Sequence, residues 1–165
     1  MSNSNYQLDS IDQRILAYLV QNARTPFLEI ARECGISGAA IHQRVKKLED
    51  AGIIVGSQFL VRPQALGYNI CAFIGVQLSE ANMYNSVVET LMKIAEVVEC
   101  HFVTGDYAVL LKVYCRDNDH LMSVLIDTIQ NINGIAKTNT FMSLNHAFER
   151  QVYVKDKSIA KRGRK

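Results

Sequence analysis

The sequence predicts an α+β protein of two parts, an N-terminal three-helix domain of the winged helix-turn-helix type and a C-terminal ferredoxin-like domain. Three observations predict it. Apolar residues recur at helical spacing through about the first 50 residues, with glycines where short helices end. After residue 67, strand-like and helix-like runs alternate in the order β-α-β-β-α-β. The chain has 165 residues, 48% of them hydrophobic, which is enough for two small cores.

The first predicted helix begins after Asp9, a residue type that caps helix N-termini well. Asp12 follows in the first turn, where the helix dipole favours a negative charge. Apolar residues then recur at intervals of three and four and define one buried side, so this helix forms one wall of a three-helix core. These apolar positions are Leu8, Ile11, Ile15, Leu16 and Leu19.

A tight turn joins the second and third predicted helices. Thr25 is expected to cap the second helix, and Pro26 suits its first position, where a missing N–H costs nothing. Gly35 ends that helix, because glycine readily adopts the left-handed conformation of a C-terminal cap. Ser37 is expected to cap the third helix, which stops at Gly52.

The third helix has a narrow apolar side and a broad polar side when it is projected at about 100° per residue. Ile41, Val45 and Leu48 fall on the apolar side and are expected to face the core. The polar side and its shoulders are typical of a helix that reads the major groove of DNA. The candidate DNA-contacting residues are Ser37, Ala39, Ala40, His42, Gln43, Arg44, Lys46 and Lys47.

Several of these residue types have a matching contact on double-stranded DNA. Gln43 can pair with the edge of an adenine, while Ala39 and Ala40 can meet the methyl group of a thymine. Lys46 and Lys47 are placed to reach phosphates, which give affinity without sequence choice. The polar side therefore combines base-reading and backbone-binding groups.

Charge is distributed unevenly along the chain, whose net charge is +2. Residues 1–56 hold six basic and six acidic side chains, residues 57–149 hold five and nine, and residues 150–165 hold seven and one. The basic end favours either extra phosphate contacts or an ordinary solvated terminus.

The polar side of the third helix is also open to two interpretations, a solvated face or a surface that contacts DNA. The capped turn before this helix favours the DNA contact.

The run from Ile53 to Val61 is apolar and predicts a strand or wing. Pro63 and Gly67 then bracket a short connection typical of a hinge. The predicted domains are 1–56 for the helix-turn-helix domain, 57–67 for a strand and hinge linker, 68–150 for the ferredoxin-like domain, and 151–165 for a basic C-terminal tail.

The ferredoxin-like domain is predicted from six alternating segments. Both of its helices would cover one face of a four-stranded antiparallel sheet. The other face would carry apolar positions such as Ile70, Ala72 and Ile74, or the alternate set. An exposed apolar face of this size implies a partner surface, most simply a second copy of the chain. Strands are expected at 69–78, 98–105, 107–115 and 136–144, and helices at 86–97 and 120–132.

Five separated motifs span most of the chain: LDSIDQRILAYLVQNART at 8–25, EIARECGIS at 29–37, RVKKLEDAGIIVGS at 44–57, VVECHFVTGDYAVLLKVYC at 97–115 and NGIAKTNT at 133–140. Together they resemble the Lrp/AsnC family, the feast/famine regulators. The stretches NARTPFLEIA and LGYNICAFIGV look closer to the asparagine-type members. The resemblance implies a DNA-binding transcription regulator that forms homodimers, assembles them into octamers or similar discs, and binds a small molecule, usually an amino acid, between neighbouring dimers.

The resemblance also implies that residues 68–150 are the effector-binding and oligomerisation domain. It places much of the effector site in the loop between the second and third strands of the sheet. The chemistry suits an amino acid, because Gly105 lets a ligand approach a backbone N–H, threonine hydroxyls donate or accept, and Asp106 can hold an ammonium group. A plain hairpin turn is the alternative. Ala108 departs from the acidic residue that many relatives carry there. The candidate effector-binding residues are His101, Thr104, Gly105, Asp106, Tyr107, Gln130, Thr138 and Thr140.

Other functional classes find less support in the sequence. The four histidines are isolated and no phosphate-binding loop is present, so we expect neither an enzyme nor a metal or other cofactor. Cys100 and His101 are adjacent and would point to opposite faces of a strand, which argues against a nucleophile pair. The remaining alternative is a ligand-sensing oligomerisation module with no specific DNA target of its own.

The sequence predicts a cytoplasmic protein without a membrane partner. No apolar run approaches the ~18 residues of a membrane helix, and the N-terminus lacks the layout of a signal peptide. Four cysteines are scattered without CxxC spacing, which suits reduced thiols.

Overall fold

The computed structural model describes residues 6–154 and divides into two compact units. The helical unit comprises the described residues up to Phe59 together with 149–154, and the sheet unit comprises Leu60–Phe148. Each unit has its own cluster of buried apolar side chains. Of the predicted basic tail at 151–165, residues 155–165 lie outside the described residues.

The helical unit contains α1 at Ser10–Gln21, α2 at Phe27–Cys34 and α3 at Gly38–Asp50. Asp9 caps α1 as predicted: its carboxylate accepts from the Asp12 N–H at 2.8 Å, and the Asp12 carboxylate accepts from the Asp9 N–H at 3.2 Å. Of the predicted periodic positions, Ile15 and Leu16 are buried, and Ile11 and Leu19 are partly buried and pack against the core. Leu8, which precedes the helix, is exposed. The buried cluster consists of Ile15, Leu16, Ile30, Ala31, Cys34, Ile41, Val45 and Leu48.

The turn between α2 and α3 forms as predicted, whereas the start of α2 differs. Gly35 ends α2 with a φ of +69°, and the Ser37 hydroxyl oxygen accepts a backbone N–H from the first turn of α3 at 3.2 Å. The prediction that Thr25 caps α2 was wrong, because its hydroxyl instead donates to the Asn22 carbonyl at 2.8 Å. Pro26 therefore occupies the capping position, and α2 begins one residue later than predicted.

The strand or wing predicted at 53–61 is not formed in the described part of the chain. Ile53 and Ile54 turn back onto the core of the helical unit. A strand needs a neighbour to complete its ladder of hydrogen bonds, and the segment beyond them pairs with none of the described strands. Pro63–Leu66 forms a short 3₁₀ helix, followed by Gly67 at a φ of +86°. The unpaired segment leaves apolar side chains exposed at Val55, Phe59, Leu60 and Val61.

The sheet unit has the predicted β-α-β-β-α-β order. The bounds are β1 at Ile70–Leu78, α4 at Tyr84–Leu91, β2 at Val97–Phe102, β3 at Val109–Cys115, α5 at Asn118–Ser123, the π-helix at Val124–Ile129 and β4 at Ile135–Met142. The strands form one antiparallel sheet in the order β2-β3-β1-β4, so the two central strands are β3 and β1. The second helix, α5, continues as the π-helix, and α4 is shorter than the predicted helix.

The two faces of the sheet differ in burial. On β1, Ala72, Ile74 and Val76 are fully buried and pack with side chains of α4 and of α5 with its π-helix. The first of the two alternation sets is therefore the covered one, because the helices require a continuous apolar surface. The alternate set faces away from the helices, and we call this side the open face. On β1 it carries Cys71, Phe73, Gly75 and Gln77.

Candidate DNA-reading face and effector loop

The outer side of α3 presents most of the predicted DNA-contacting residues. Ile41, Val45 and Leu48 are buried, so the residues between them point outward. Lys46 forms an exposed pair with Asp50 at 3.4 Å, which contributes little to stability. Ser37, Ala39, His42, Gln43, Lys46 and Lys47 are exposed, and Ala40 is partly exposed.

Arg44 does not belong to this face in the way the sequence predicted. Its guanidinium donates from Nη1 to Asp9 Oδ2 and to Asp12 Oδ1, each at 2.7 Å. The Asp12 side chain is 2% exposed and also accepts from the Tyr6 hydroxyl at 3.0 Å. Arg44 lies at the edge of the apolar side of α3, where its guanidinium binds both carboxylates. It therefore joins α3 to the start of α1. The structure thus gives Arg44 an inter-helix ion pair, and its contact with DNA stays a prediction.

The charges of this cluster reinforce one another. Hydrogen bonds from Arg44 to Asp9 and Asp12 raise the pKa of the guanidinium further above its ordinary value. Burial alone would raise the pKa of Asp9, but the backbone N–H of Asp12 and the Arg44 guanidinium bring it below its ordinary value overall. Arg44 and Asp9 therefore both favour their charged forms in the folded chain.

His42 is also less available than predicted. Its ring packs edge-on against Phe27 of α2, with the ring centroids 4.8 Å apart. The contact leaves His42 exposed but fixes its ring beside α2. The remaining base-edge candidates on α3 are Ala39, Ala40 and Gln43.

The predicted effector loop, residues 104–107, lies between β2 and β3. A hydrogen bond from the Val103 N–H to the Ala108 carbonyl closes its base at 3.0 Å. Gly105 has a φ of +115°, a conformation that side-chain-bearing residues rarely adopt. An open cavity of about 500 Å³ lies beside the loop and is lined by the loop itself and by Gln77, Leu78, Ala81 and Phe102.

The flanking candidates fall outside this cavity. Gln130 donates from Nε2 to the Thr138 hydroxyl at 2.7 Å, beside a second cavity of about 360 Å³. Thr138 and Thr140 pair with buried positions of β1, which places them on the helix-covered face. Within one chain, Gln130, Thr138 and Thr140 are therefore separated from the loop at 104–107.

His101 lies on the open face of β2, where its Nε2 is 3.3 Å from a Glu99 carboxylate oxygen. The same carboxylate accepts from the Lys112 ammonium at 2.8 Å. The hydrogen bond from Lys112 is the largest cause that holds the pKa of Glu99 below its ordinary value. His101 thus belongs to a charged cluster on the open face and does not line the cavity beside the loop.

Several residues that contact the loop were missed in the sequence. They include Gly75, Gln77, Asn139 and Phe141, which lie on β1 and β4. A glycine inside a strand is a known sign of close approach by other groups, so Gly75 carried a usable signal. Gln77 and Asn139 carried none, because their contacts join residues about 30 positions apart.

Within residues 6–154, none of the helices is long and apolar enough to cross a membrane. The same part of the chain has no group of three His, Cys, Asp or Glu side chains arranged to hold a metal ion. The four cysteines all lie within residues 6–154, and none of them forms a disulfide bond.

Comparison with known proteins accounts for both units. The model of a winged helix-turn-helix DNA-binding domain matches residues 8–55, and that of the Lrp/AsnC ligand binding domain matches residues 71–153. Regulatory protein AsnC of Escherichia coli strain K12 is 41% identical over 148 residues, which cover 90% of this chain and 97% of that protein. The chain belongs to the Lrp/AsnC family.

This Lrp/AsnC regulator is also similar to solved structures. The structure of Escherichia coli AsnC matches with a TM-score of 0.83 at 41% identity, and the match covers 89% of this chain and 99% of the AsnC chain. A Neisseria meningitidis transcriptional regulator in complex with L-methionine has a TM-score of 0.81 at 26% identity, covering 87% and 94%. A Mycobacterium tuberculosis feast or famine regulatory protein, also complexed with L-methionine, has a TM-score of 0.84 at 25% identity, covering 90% and 100%.

The predicted family and fold class are thereby confirmed. As an AsnC-type transcription regulator, the chain combines a helix-turn-helix DNA-binding domain with a ligand-binding domain. The outer side of α3 lies in the first of these domains, and the loop at 104–107 lies in the second.

Proposed function

We propose that this Lrp/AsnC regulator binds double-stranded DNA through the outer side of α3 and that an amino acid alters this binding. The observation that carries the proposal is the division of α3 into a fully buried apolar stripe and an exposed polar side, fixed by the cap at Ser37. A rigid helix with that division can enter the major groove without exposing core residues.

The proposed contacts follow from residue chemistry. Gln43 reads an adenine edge, and Ala39 and Ala40 contact thymine methyl groups. Lys46 and Lys47 contact phosphates, with Ser37 and His42 at the margins of the same surface. Arg44 supports this surface from behind through its carboxylate partners.

We expect Gln43→Ala and Lys47→Ala to have different effects on DNA binding. Loss of Gln43 should relax the base preference at one position and cost about 1–3 kcal/mol on the preferred site alone. Loss of Lys47 should weaken binding to all sequences and reduce the slope of log affinity against log salt by about 1. Fluorescence anisotropy with the upstream region of the regulator's own gene and with scrambled DNA, over a salt series, measures both.

Lys93→Ala, in the sheet unit, removes the same charge away from α3 and serves as the control. Equal binding of wild-type protein to upstream and scrambled DNA at every salt concentration would contradict the DNA-reading proposal. That result would favour a ligand-sensing oligomerisation module with no DNA target of its own.

The proposed effector site is the cavity beside residues 104–107. Asp106 is exposed there and can accept from an ammonium group, while Thr104 and the backbone at Gly105 offer donors to a carboxylate. L-methionine in two related structures supports an amino acid as ligand. We propose that Gln130, Thr138 and Thr140 of a neighbouring copy complete the site, because they do not line this cavity within one chain.

We propose a homodimer that assembles further, to an octamer or a similar ring. The open face offers a surface for this, because Phe73 and Phe141 are exposed on adjacent strands and face each other in register. A ligand shifts such an equilibrium only by as much as it prefers one assembly. The proposed regulator acts in the cytoplasm, without enzymatic activity and without a metal or other cofactor, in line with its relatives among regulatory proteins.

A thermal-shift screen of the twenty amino acids tests the effector proposal. At a ligand concentration 100 times Kd, binding stabilises the native state by about 2.7 kcal/mol, which is readily seen in Tm. We expect asparagine, other small polar amino acids or methionine to raise Tm, and Asp106→Asn to reduce that shift. An unchanged Tm with all twenty would contradict an amino-acid effector.

A further inference from the structure

Tyr107, the last residue of the effector loop, lies across the open face of the sheet. The nearest ring atoms of Tyr107 would be 2.7 Å from a Cβ placed on Gly75, closer than real Cβ contacts come. The ring therefore packs directly on the backbone of β1, and this requires glycine at position 75. Gly75 is buried beneath it.

The hydroxyl of Tyr107 is held at the far side of the same strand. It accepts a hydrogen bond from Asn139 Nδ2 on β4 at 2.7 Å. The edge of the Phe141 ring meets the Tyr107 ring, with centroids 6.5 Å apart and planes inclined by 77°. Tyr107 thus reaches across β1 and is fixed at both ends.

The residues on either side of Tyr107 are attached to β1 as well. The Asp106 carbonyl accepts from Gln77 Nε2 at 3.0 Å. The Ala108 N–H donates to the Val76 carbonyl at 2.9 Å. The half of the loop that carries the Asp106 carboxylate is therefore fastened to the sheet by side-chain and backbone contacts.

We propose that Tyr107, seated on Gly75 and held by Asn139, is a positioning residue that sets the geometry of the effector loop. It acts through Asp106, whose carboxylate it keeps at the cavity. The effect on ligand rests on the effector site proposed above, whereas the anchoring of the loop does not. Because the ring lies on the open face, it also joins the loop to the surface proposed for a second copy.

The test uses the full chain with Tyr107→Phe, Asn139→Leu and the double variant. Each single variant should speed amide hydrogen exchange at Val103 and Ala108 by about threefold to tenfold without ligand, as expected for loss of one net hydrogen bond. Affinity for the amino acid found in the thermal-shift screen should fall by a similar factor. The double variant should lose little more than either single one, because both remove the same bond.

Two further variants separate positioning from a general structural role. Asn139→Asp removes the Nδ2 donor but supplies a carboxylate that can accept from the Tyr107 hydroxyl, so the bond can re-form in the opposite direction and exchange and affinity should return toward wild-type values. Tyr68→Phe, outside the loop, is the matched control and should leave both unchanged. DNA affinity without ligand should be the same in Tyr68→Phe and in wild type.

Unchanged exchange at Val103 and Ala108 in Tyr107→Phe would overturn the proposal. Faster exchange with unchanged amino-acid affinity would also overturn it, since the anchor would then not position the site. A wild-type chain that bound none of the twenty amino acids would contradict the effector proposal instead, and the exchange rates would still decide whether Tyr107 anchors the loop.

Discussion

Replacing Arg44 with glutamine is expected to lower the free energy of unfolding of the helical unit by about 2–3 kcal/mol. The change removes the cation that binds Asp9 and Asp12, and it leaves the buried Asp12 carboxylate with the Tyr6 hydroxyl as a side-chain partner. A buried carboxylate without its counter-ion is strongly disfavoured. The estimate lies below that for a fully buried pair because Arg44 is 28% exposed.

Urea unfolding followed by helical circular dichroism measures this change. Arg32→Gln on the exposed side of α2 removes the same charge and is the matched control, expected to shift stability by about 0.5 kcal/mol or less. DNA binding by Arg44→Gln should fall for all sequences, since the orientation of α3 depends on the ion pair. Equal stability of the two glutamine variants would contradict the role assigned to Arg44.

The same cluster predicts a pH dependence. Asp9 has a lowered pKa in the folded chain, so its contribution to stability is present above its unfolded pKa and is lost as the pH falls through its folded pKa. The stability difference between wild type and Arg44→Gln should therefore be largest near neutral pH and shrink below about pH 4. A difference that stays constant down to pH 2 would contradict this linkage.

The local features of the helical unit were largely readable from the sequence. Caps at Asp9 and Ser37 and the turn at Gly35 depend on residues within four positions of one another, and each formed as predicted. The role of Arg44 was not readable, because its partners lie 32 and 35 positions away. A helical projection placed it at the edge of the apolar stripe but could not show which charges the neighbouring helix brings there.

Whether a predicted strand forms depends on whether it finds a partner strand, and the local sequence does not show this. The six segments of the sheet unit form with small changes in their ends, because each finds a partner in the sheet or packs against it. The apolar run at 53–61 also contains residues that favour strands, but it has no neighbouring strand among the described residues and stays unpaired. The alternation of residues along β1 predicted two faces of the strand, but it did not show which face the helices cover.

The effector loop illustrates a further limit. The family resemblance predicted the loop at 104–107, and Gly105 was predicted to let a ligand approach a backbone N–H. That Tyr107 lies on Gly75 and reaches Asn139 depends on the register of three strands. Sequence predicts which residues form such a loop more readily than what holds it in place.

Replacing Gly105 with valine is expected to weaken amino-acid binding by about tenfold to a hundredfold while leaving DNA binding to a single site nearly unchanged. Gly105 has a φ of +115°, which a β-branched residue adopts only at a cost of about 1–3 kcal/mol. A Cβ at this position would meet nothing within 4 Å. The effect must therefore come from the backbone, which relaxes away from the conformation that the ligand requires.

Calorimetric titration with the amino acid found in the screen measures the loss. Gly67→Val is the matched control, because Gly67 also has a positive φ, of +86°, and open space around it, but lies outside the loop. Gly67→Val should lower the stability of the protein by a similar amount without weakening the binding of the amino acid. Loss of ligand and DNA binding together in Gly105→Val would show that the two domains are not separable, and equal ligand loss in both variants would mean that general destabilisation, not loop geometry, weakens binding.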